Sequence, residues 1–449
     1  MRMPKSPPDQ DDIIRKAITQ GKDRVFALFK SKEGATQDGR YLHWDELRFR
    51  PPPEEMSSAE WWWVVKQARS KIYTELPCWS TNYGDFKFAT CDPIPKMLHN
   101  IDLQAGGRLQ GSQKIINPEH RDRYYVSSLI EEAITSSQLE GARTSYKVAK
   151  EMIRQNRPPR DKSEQMILNN YLTMQRISDL KDQELTKELV FELHRRVTSG
   201  TLSDPSAAGR FRTDDDDVRI TDEHENVLHE PPSAASLEDR MKMMCEFAND
   251  AAADPFVHPV IRAIVIHFWL AYDHPFVDGN GRTARALFYW AMLRYGYWLF
   301  EFISISRIIL KGPVKYGRAF LYCETDDEDL TYFVLYHLKV IERAIGELHE
   351  YIQKKTDESK LAETQLLGID GLNHRQRALV SHAIRHPNTN YTIQSHQSSH
   401  GVTYETARTD LANLRDRRLL AERKVGRALN YRAVDNLSDA IQEIREDSA

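Results

Sequence analysis

His274 stands immediately before a short glycine-rich stretch. Residues 274–282 read His-Pro-Phe-Val-Asp-Gly-Asn-Gly-Arg, and Thr283, Ala284 and Arg285 follow. An imidazole titrates near neutrality, so His274 can take a proton from an incoming hydroxyl. Asp278 offers one hard oxygen ligand, suited to a Mg²⁺ ion held otherwise by phosphates and water. Gly279, Asn280 and Gly281 lie where a helix begins. Backbone N–H groups are free there, the helix dipole is positive, and glycines let an anion approach closely. Arg282 and Arg285 are three apart and project near the first turn, where guanidinium forks can neutralise a polyphosphate. A base, a metal ligand, an anion nest and arginines are the ingredients of phosphoryl or nucleotidyl transfer. The stretch fits neither the lysine-containing phosphate loop nor the dinucleotide-binding glycine pattern.

The elements that position these residues read as helices. After the loop, Ala284, Leu287, Phe288, Ala291, Met292 and Tyr295 form a stripe at spacings of three and four, and Gly296 is placed to end it. Before the loop, the apolar run Pro259 to Tyr272 is broken by Arg262 and His267. It is shorter than the roughly 20 residues that span a bilayer, so a buried core helix is expected. His258-Pro259 would open it, with proline at the first position, and His267 reads as a core histidine. Further upstream, Val126, Leu129, Ile130, Ala133 and Ile134 mark one amphipathic helix, and Leu185, Leu189, Leu193 and Val197 another. Between 214 and 232 the pattern changes. Val218 and Ile220 alternate with polar residues, a polar turn follows, and Val227-Leu228 return before Pro231-Pro232, which predicts a short β-hairpin. The four aspartates Asp214 to Asp217 read as a solvated loop rather than a second metal site.

The string from His274 to Arg285 resembles the signature of the Fic family, H-P-F-x-[D/E]-G-N-G-R-x-x-R, at every fixed position. The resemblance covers about 120–350. It implies a mainly α fold: a Fic-type helical bundle with a small β-hairpin flap. It also implies adenylylation, with AMP moved from ATP to a Ser, Thr or Tyr hydroxyl on a target protein, self-modification included. By that analogy His274 is the base and Asp278 holds Mg²⁺. Phe276 and Gly279 to Arg282 join Arg285 at the nucleotide. Tyr316 falls where relatives carry an aromatic near adenine, although Gly317 stands where a second Tyr is usual. Arg219, Ile220 and Thr221 occupy the flap, which pairs with a target segment as an added strand.

Ser136-Ser137-Gln138-Leu139-Glu140-Gly141 closes the helix that begins near Arg123. Ser136 and Glu140, four apart, share a face. Read alone, this is a helix end with a glycine cap. It is similar to the [S/T]-x-x-x-E-[G/N] element of one Fic class, in which the glutamate pairs with the second signature arginine. Here that implies Glu140 on Arg285, inhibiting by occupying the anion nest. In some relatives the same glutamate is thought to assist AMP removal, which leaves a reverse activity open.

The chain's 449 residues carry a formal net charge of -4, yet Asn373 to Arg432 hold 11 Lys+Arg and 4 Asp+Glu, a local +7. That stretch reads helix, helix, helix, hairpin, the winged-helix order. Tyr404, Glu405, Thr406 and Arg408 would face a DNA groove and Arg427 would meet the backbone. Dimerisation or other protein contacts are the alternative use of such a module. The expected organisation is a disordered start (1–12), a mainly helical region (13–110), the Fic core (111–350) with its inhibitory helix at about 123–141, a linker or helix (351–371) and a winged helix (372–449). The region 13–110 has no assigned role. GRYLHWDELRFRPPP reads as extended, and the stretch from Ser57 as a helix with Glu60 in its first turn. Four widely spaced cysteines give neither a zinc site nor a disulfide framework, and the N-terminus holds no apolar leader, so a cytoplasmic protein without a membrane partner is expected. From another functional class, the second reading is a DNA-binding regulator whose core senses nucleotide. Within the enzyme class, transfer of UMP, phosphate or phosphocholine stays open.

Overall fold

A computed structural model of the chain describes residues 2–447 apart from 54, 81–83, 107–117, 223, 251–254, 367–370, 387 and 426–427. The chain forms two compact units, Met1–Gly346 and Glu347–Ala449.

The first unit is built around two antiparallel helices, Pro259–Asp273 and Asn280–Arg294, joined by the glycine-rich loop. Proline at the first position of the former and His258 as its cap explain its start. Every residue from Arg282 to Met292 is buried, so the second helix is surrounded rather than amphipathic. Gly296, at φ 89°, follows its last turn. The helix Pro118–Leu139 lies against it in a regular register. Glu132 meets Tyr289, Ser136 meets Arg285, and Glu140 meets Gly281, each pair one four-residue step further along both helices. Glu132 fixes that register: its buried carboxylate accepts from the Tyr289 hydroxyl at 2.8 Å, the Ser304 hydroxyl at 2.8 Å and the Ser306 backbone N–H at 3.1 Å. The Ser306 hydroxyl is a fourth donor, and together they make burial of this charge tolerable. Helices Lys162–Leu180 and Lys187–Thr198 close the bundle, and the two-stranded hairpin of Ile220–Thr221 and Val227–His229 stands at its edge.

The N-terminal region departs from expectation in three places. A helix starts at Gln10, inside the stretch expected to be disordered, because Asp9 caps it by accepting from the Asp12 N–H at 2.8 Å. A four-residue helix, Trp44–Leu47, interrupts the segment expected to be extended. Tyr73–Trp79 and Asp85–Ala89 form an antiparallel hairpin in a region expected to be mainly helical. This hairpin is completed by distant residues, since Lys87 exchanges backbone hydrogen bonds with Glu328 and Leu330. A window of local sequence cannot reveal such a pairing. The helix Ser58–Ser70 does follow its signal: Ser57 and Glu60 form a reciprocal capping box, and Arg24 forks onto the Glu60 carboxylate at 2.8 and 2.6 Å. Lys66 and Arg69 on that helix reach the buried Asp326, and the Tyr73 hydroxyl donates to Asp329.

The second unit carries helices His374–Arg385, Ile393–His400 and Tyr404–Asp416 and then the hairpin of Leu420–Val425 with Ala428–Ala433. Thr392 caps the second of these helices and Gly401, at φ 61°, ends it. Ala407, Leu411 and Leu414 are fully buried. A third strand, Asn390–Thr392, pairs with Ala428–Ala433, and a closing helix runs from Leu437 to Asp447. Buried Asp410 ties three elements, accepting from Asn373 and Arg375 at 2.7 Å each and lying 3.2 Å from His396. The stretch 351–371 is helical as far as Leu366.

Candidate active site

His274 terminates its helix in a left-handed conformation, φ 45° and ψ 54°, uncommon for a residue with a β-carbon. Its Nδ1 lies 3.3 Å from the Ala271 carbonyl, which can only accept, so Nδ1 carries the proton and Nε2 the lone pair. Burial lowers the imidazole pKa to about 4, with the Ala271 carbonyl opposing, so the ring is neutral at physiological pH. This is the state a general base requires.

The loop is held from two sides. Arg212 donates from Nε to the His274 carbonyl at 2.9 Å, and its backbone N–H donates to the Pro275 carbonyl at 2.8 Å. His194, fully buried, accepts the Gly209 N–H at Nδ1 (2.9 Å) and therefore donates from Nε2 to the Asp278 carbonyl at 2.8 Å. Sequence reasoning missed both residues. His194 occupied the position after a predicted core leucine, and Arg212 preceded the acidic run without a motif of its own.

Several expected nucleotide contacts serve the loop instead. Phe276 is fully buried and stacks on His194 with ring centroids 3.7 Å apart, so it anchors the loop and offers no face to a ligand. The Asn280 side chain is used by Phe276, accepting its N–H at 3.0 Å and donating to its carbonyl at 2.7 Å. Asn280 can therefore offer an anion only its backbone. Arg282 is buried, donating to the Val197 carbonyl at 2.8 Å and to Asp278 Oδ1 at 3.3 Å. Gly279 has φ 88°, and a β-carbon there would run into Thr198, so this position needs glycine on both counts.

The helix N-terminus after the loop is covered by Glu140. A β-carbon on Gly281 would overlap the Glu140 carboxylate. The same carboxylate accepts from Arg285 Nη2 at 2.8 Å, while Arg285 also donates to the Ser136 hydroxyl at 2.8 Å and the Ser136 carbonyl at 2.9 Å. Ser136 and Glu140 thus hold one guanidinium together, and Gly141, at φ 89°, turns the chain away just beyond. An anion is already present where free backbone N–H groups and an arginine converge.

Tyr316 points its hydroxyl into the core, 2.9 Å from His267 Nε2, which leaves only its ring for an adenine. His267 is a core histidine whose Nδ1 has no hydrogen-bond partner among the described residues. In the flap, Ile220 and Thr221 are strand residues, while Arg219 is half exposed beside Asp217 at 3.2 Å. The aspartate run forms a short turn whose members cap neighbouring backbone, as when Asp214 accepts from the Ala234 N–H. Tyr404 and Arg408 are exposed on the third helix of the second unit, with Arg408 3.5 Å from Glu405. Thr406 is half-buried, and Arg427 lies outside the described residues.

Residues 184–292, which include the loop and the helices on either side of it, match the Fic/DOC family. The chain is similar to a protein adenylyltransferase Fic of Nematostella vectensis, 36% identical over 118 residues, which are 26% of this chain and 25% of that protein. It is also similar to the adenylyltransferase fic-1 of Caenorhabditis elegans, 36% identical over 115 residues, 25% of this chain and 20% of that one. The chain thus matches about a quarter of the length of these curated relatives. In fold it resembles a Fic family protein from Desulfovibrio desulfuricans, with a TM-score of 0.51 at 17% identity, covering 77% of this chain and 98% of that one.

Proposed function

We propose that this protein transfers AMP from ATP to a Ser, Thr or Tyr hydroxyl of a protein and is held inactive by Glu140. The observation that carries the reading is the Glu140 carboxylate seated over Gly281 and on Arg285, beside a neutral imidazole. A site that draws a carboxylate from its own chain is a site for an anion. With Glu140 displaced, the backbone N–H groups at Asn280 and Gly281 and the Arg285 fork become available to phosphate oxygens. His274 Nε2 takes the proton of the target hydroxyl as its oxygen attacks the α-phosphorus, and pyrophosphate leaves. The likeness to the named adenylyltransferases over the Fic domain supports AMP as the group moved.

Asp278 fits Mg²⁺. Its Oδ1 accepts from the Gly279 N–H at 2.5 Å and from Arg282, while Oδ2 has no protein partner among the described residues and the side chain is half exposed. One free carboxylate oxygen suits an ion that takes its other ligands from phosphate and water. When bound, the ion would neutralise charge on the phosphates. Four free, buried cysteines support a reducing, cytoplasmic setting.

The experiment is labelling of the purified protein with α-³²P-ATP and, in parallel, γ-³²P-ATP and α-³²P-UTP. Label retained from the α position of ATP alone supports AMP transfer. Label from the γ position replaces it with phosphoryl transfer, and label from UTP with uridylylation. No label from any of them, with nucleotide still bound, favours the second reading, a DNA-binding regulator that senses nucleotide. The helix, helix, helix, hairpin order of the second unit, with exposed Tyr404 and Arg408, favours a winged helix that binds DNA or pairs two copies of the chain.

A further inference from the structure

A cleft of about 1040 Å³ opens between the N-terminal arm (Met3 to Asp11), the flap and the segment 324–328. Its floor includes Tyr272, two residues before His274, and Arg212, which grips the His274 carbonyl. One part of the cleft therefore adjoins the residues that hold the His274 loop. The flap is a two-stranded sheet, so each strand keeps one edge without a ladder partner among the described residues. An extended chain can add to such an edge. On the arm, Gln10 lines the same cleft.

The walls are strongly acidic. Eight carboxylates line the cleft, against the arginines Arg212 and Arg219. Arg212 is spent on backbone carbonyls and Arg219 sits beside Asp217. Glu324 is paired with His229 and Asp327 with Lys66. Asp11 on the arm and Glu230 on the flap are exposed, have no ion pair among the described residues and face the cleft from different walls, and Asp9, Asp214 and Glu328 add to the same field. A field of one sign focused in a low-dielectric cleft selects the opposite sign.

We propose that this cleft docks the target segment, and that the segment is basic, with Lys or Arg on either side of the hydroxyl to be modified. The proposal rests on the transfer reading for what happens after docking, but docking itself needs no nucleotide. The N-terminal arm thereby gains a role: it is the wall opposite the flap. It sets target choice without touching the phosphates.

The test is fluorescence anisotropy with the full-length protein and three dye-labelled decapeptides. Each has one central serine, flanked by lysines, alanines or glutamates. With two or three exposed pairs formed, the lysine peptide is expected to bind roughly tenfold tighter than the glutamate peptide at low salt, and the difference should shrink at high salt. In Asp11→Lys/Glu230→Lys, both sites being exposed and outside the catalytic loop, the preference is expected to vanish or invert. Circular dichroism of that variant checks that it is folded. Equal binding of the three peptides, no binding of any, or a preference that survives the charge reversal would each overturn the proposal. Failure of the transfer reading would appear separately, as lysine-peptide docking without incorporation of label from ATP.

Discussion

Replacing Glu140 by glycine should accelerate self-labelling from α-³²P-ATP. In the resting structure Arg285 has three acceptors: the Ser136 hydroxyl, the Ser136 carbonyl and the Glu140 carboxylate, all between 2.8 and 2.9 Å. Only the last is charged and only the last covers Gly281. A hydrogen bond to a charged group contributes about 1.5–3 kcal/mol, so displacing Glu140 costs incoming phosphate a factor of roughly 10 to 100 in occupancy. Removing the carboxylate should return that factor as a rate gain at sub-saturating ATP. The fold should tolerate the change. Glu140 lies one residue beyond the helix that ends at Leu139, and Arg285 keeps both Ser136 contacts, so the loss of stability should stay near ~1 kcal/mol. Glu140→Gln, which retains an acceptor but no charge, should fall between wild type and glycine. Glu140→Gly combined with His274→Ala should fall to background, which separates catalytic gain from adventitious labelling. If folded Glu140→Gly labels no faster than wild type, Glu140 is a helix end and nothing more.

The other expectations concern the base, the metal ligand, the loop and the second unit. In the Glu140→Gly background the transfer rate should stay level from pH 8 to about 5, below the ~6.5 of a free imidazole, because burial holds His274 near 4; an inflection at 6.5 in a pH–rate profile would contradict this. The stability consequence has the same origin. The native state refuses a proton that the unfolded chain accepts below ~6.5, so the contribution of His274 is complete above that pH and is lost as pH falls toward 4, which denaturant melts at pH 7 and 5 can read. Asp278→Ala should abolish the response of the labelling rate to added Mg²⁺ along with most activity, and equal wild-type rates with and without Mg²⁺ would count against the assignment. His194→Ala should destabilise by about 2–4 kcal/mol and lower labelling, since it removes the Gly209 and Asp278 hydrogen bonds and the Phe276 stack together; an unchanged Tm would show that the loop holds itself. The full-length protein should retard duplex DNA at low salt and release it steeply as salt rises, and no retardation at low salt would favour the dimerisation use of the second unit.

Most of the glycine-rich loop was legible because its chemistry is local. Glycines, a histidine and two arginines within twelve residues fix a loop, a helix start and their charges without reference to the remaining chain. The Glu140 to Arg285 pair spans 145 positions; spacing alone put Ser136 and Glu140 on one helix face, and the pairing with Arg285 was implied by the resemblance to one Fic class. What stayed illegible is what the tertiary fold assigns. Nothing local distinguishes the Asn280 amide as a brace for Phe276 from an amide that meets phosphate, because the difference is whether a neighbour lies within 3 Å. His194 and Arg212 carry no motif, since their partners are backbone carbonyls, which any sequence provides.

The same reasoning explains why the N-terminal region yielded no role from its sequence. Its hairpin is completed by Glu328 and Leu330, about 240 residues away, and Lys66 and Arg69 find their counter-charge at Asp326. A buried Lys or Arg is costly without a partner, so these residues make sense only once that acidic turn is beside them. The turn continues directly into Asp327 and Glu328, which line the cleft next to the flap. Clamping the N-terminal region onto this turn therefore also places the arm that forms the cleft's other wall. On this account the region is not an appendage to the helical bundle. Breaking the clamp should loosen the arm's wall of the cleft first, while His274 keeps its bonds to Arg212 and the Ala271 carbonyl.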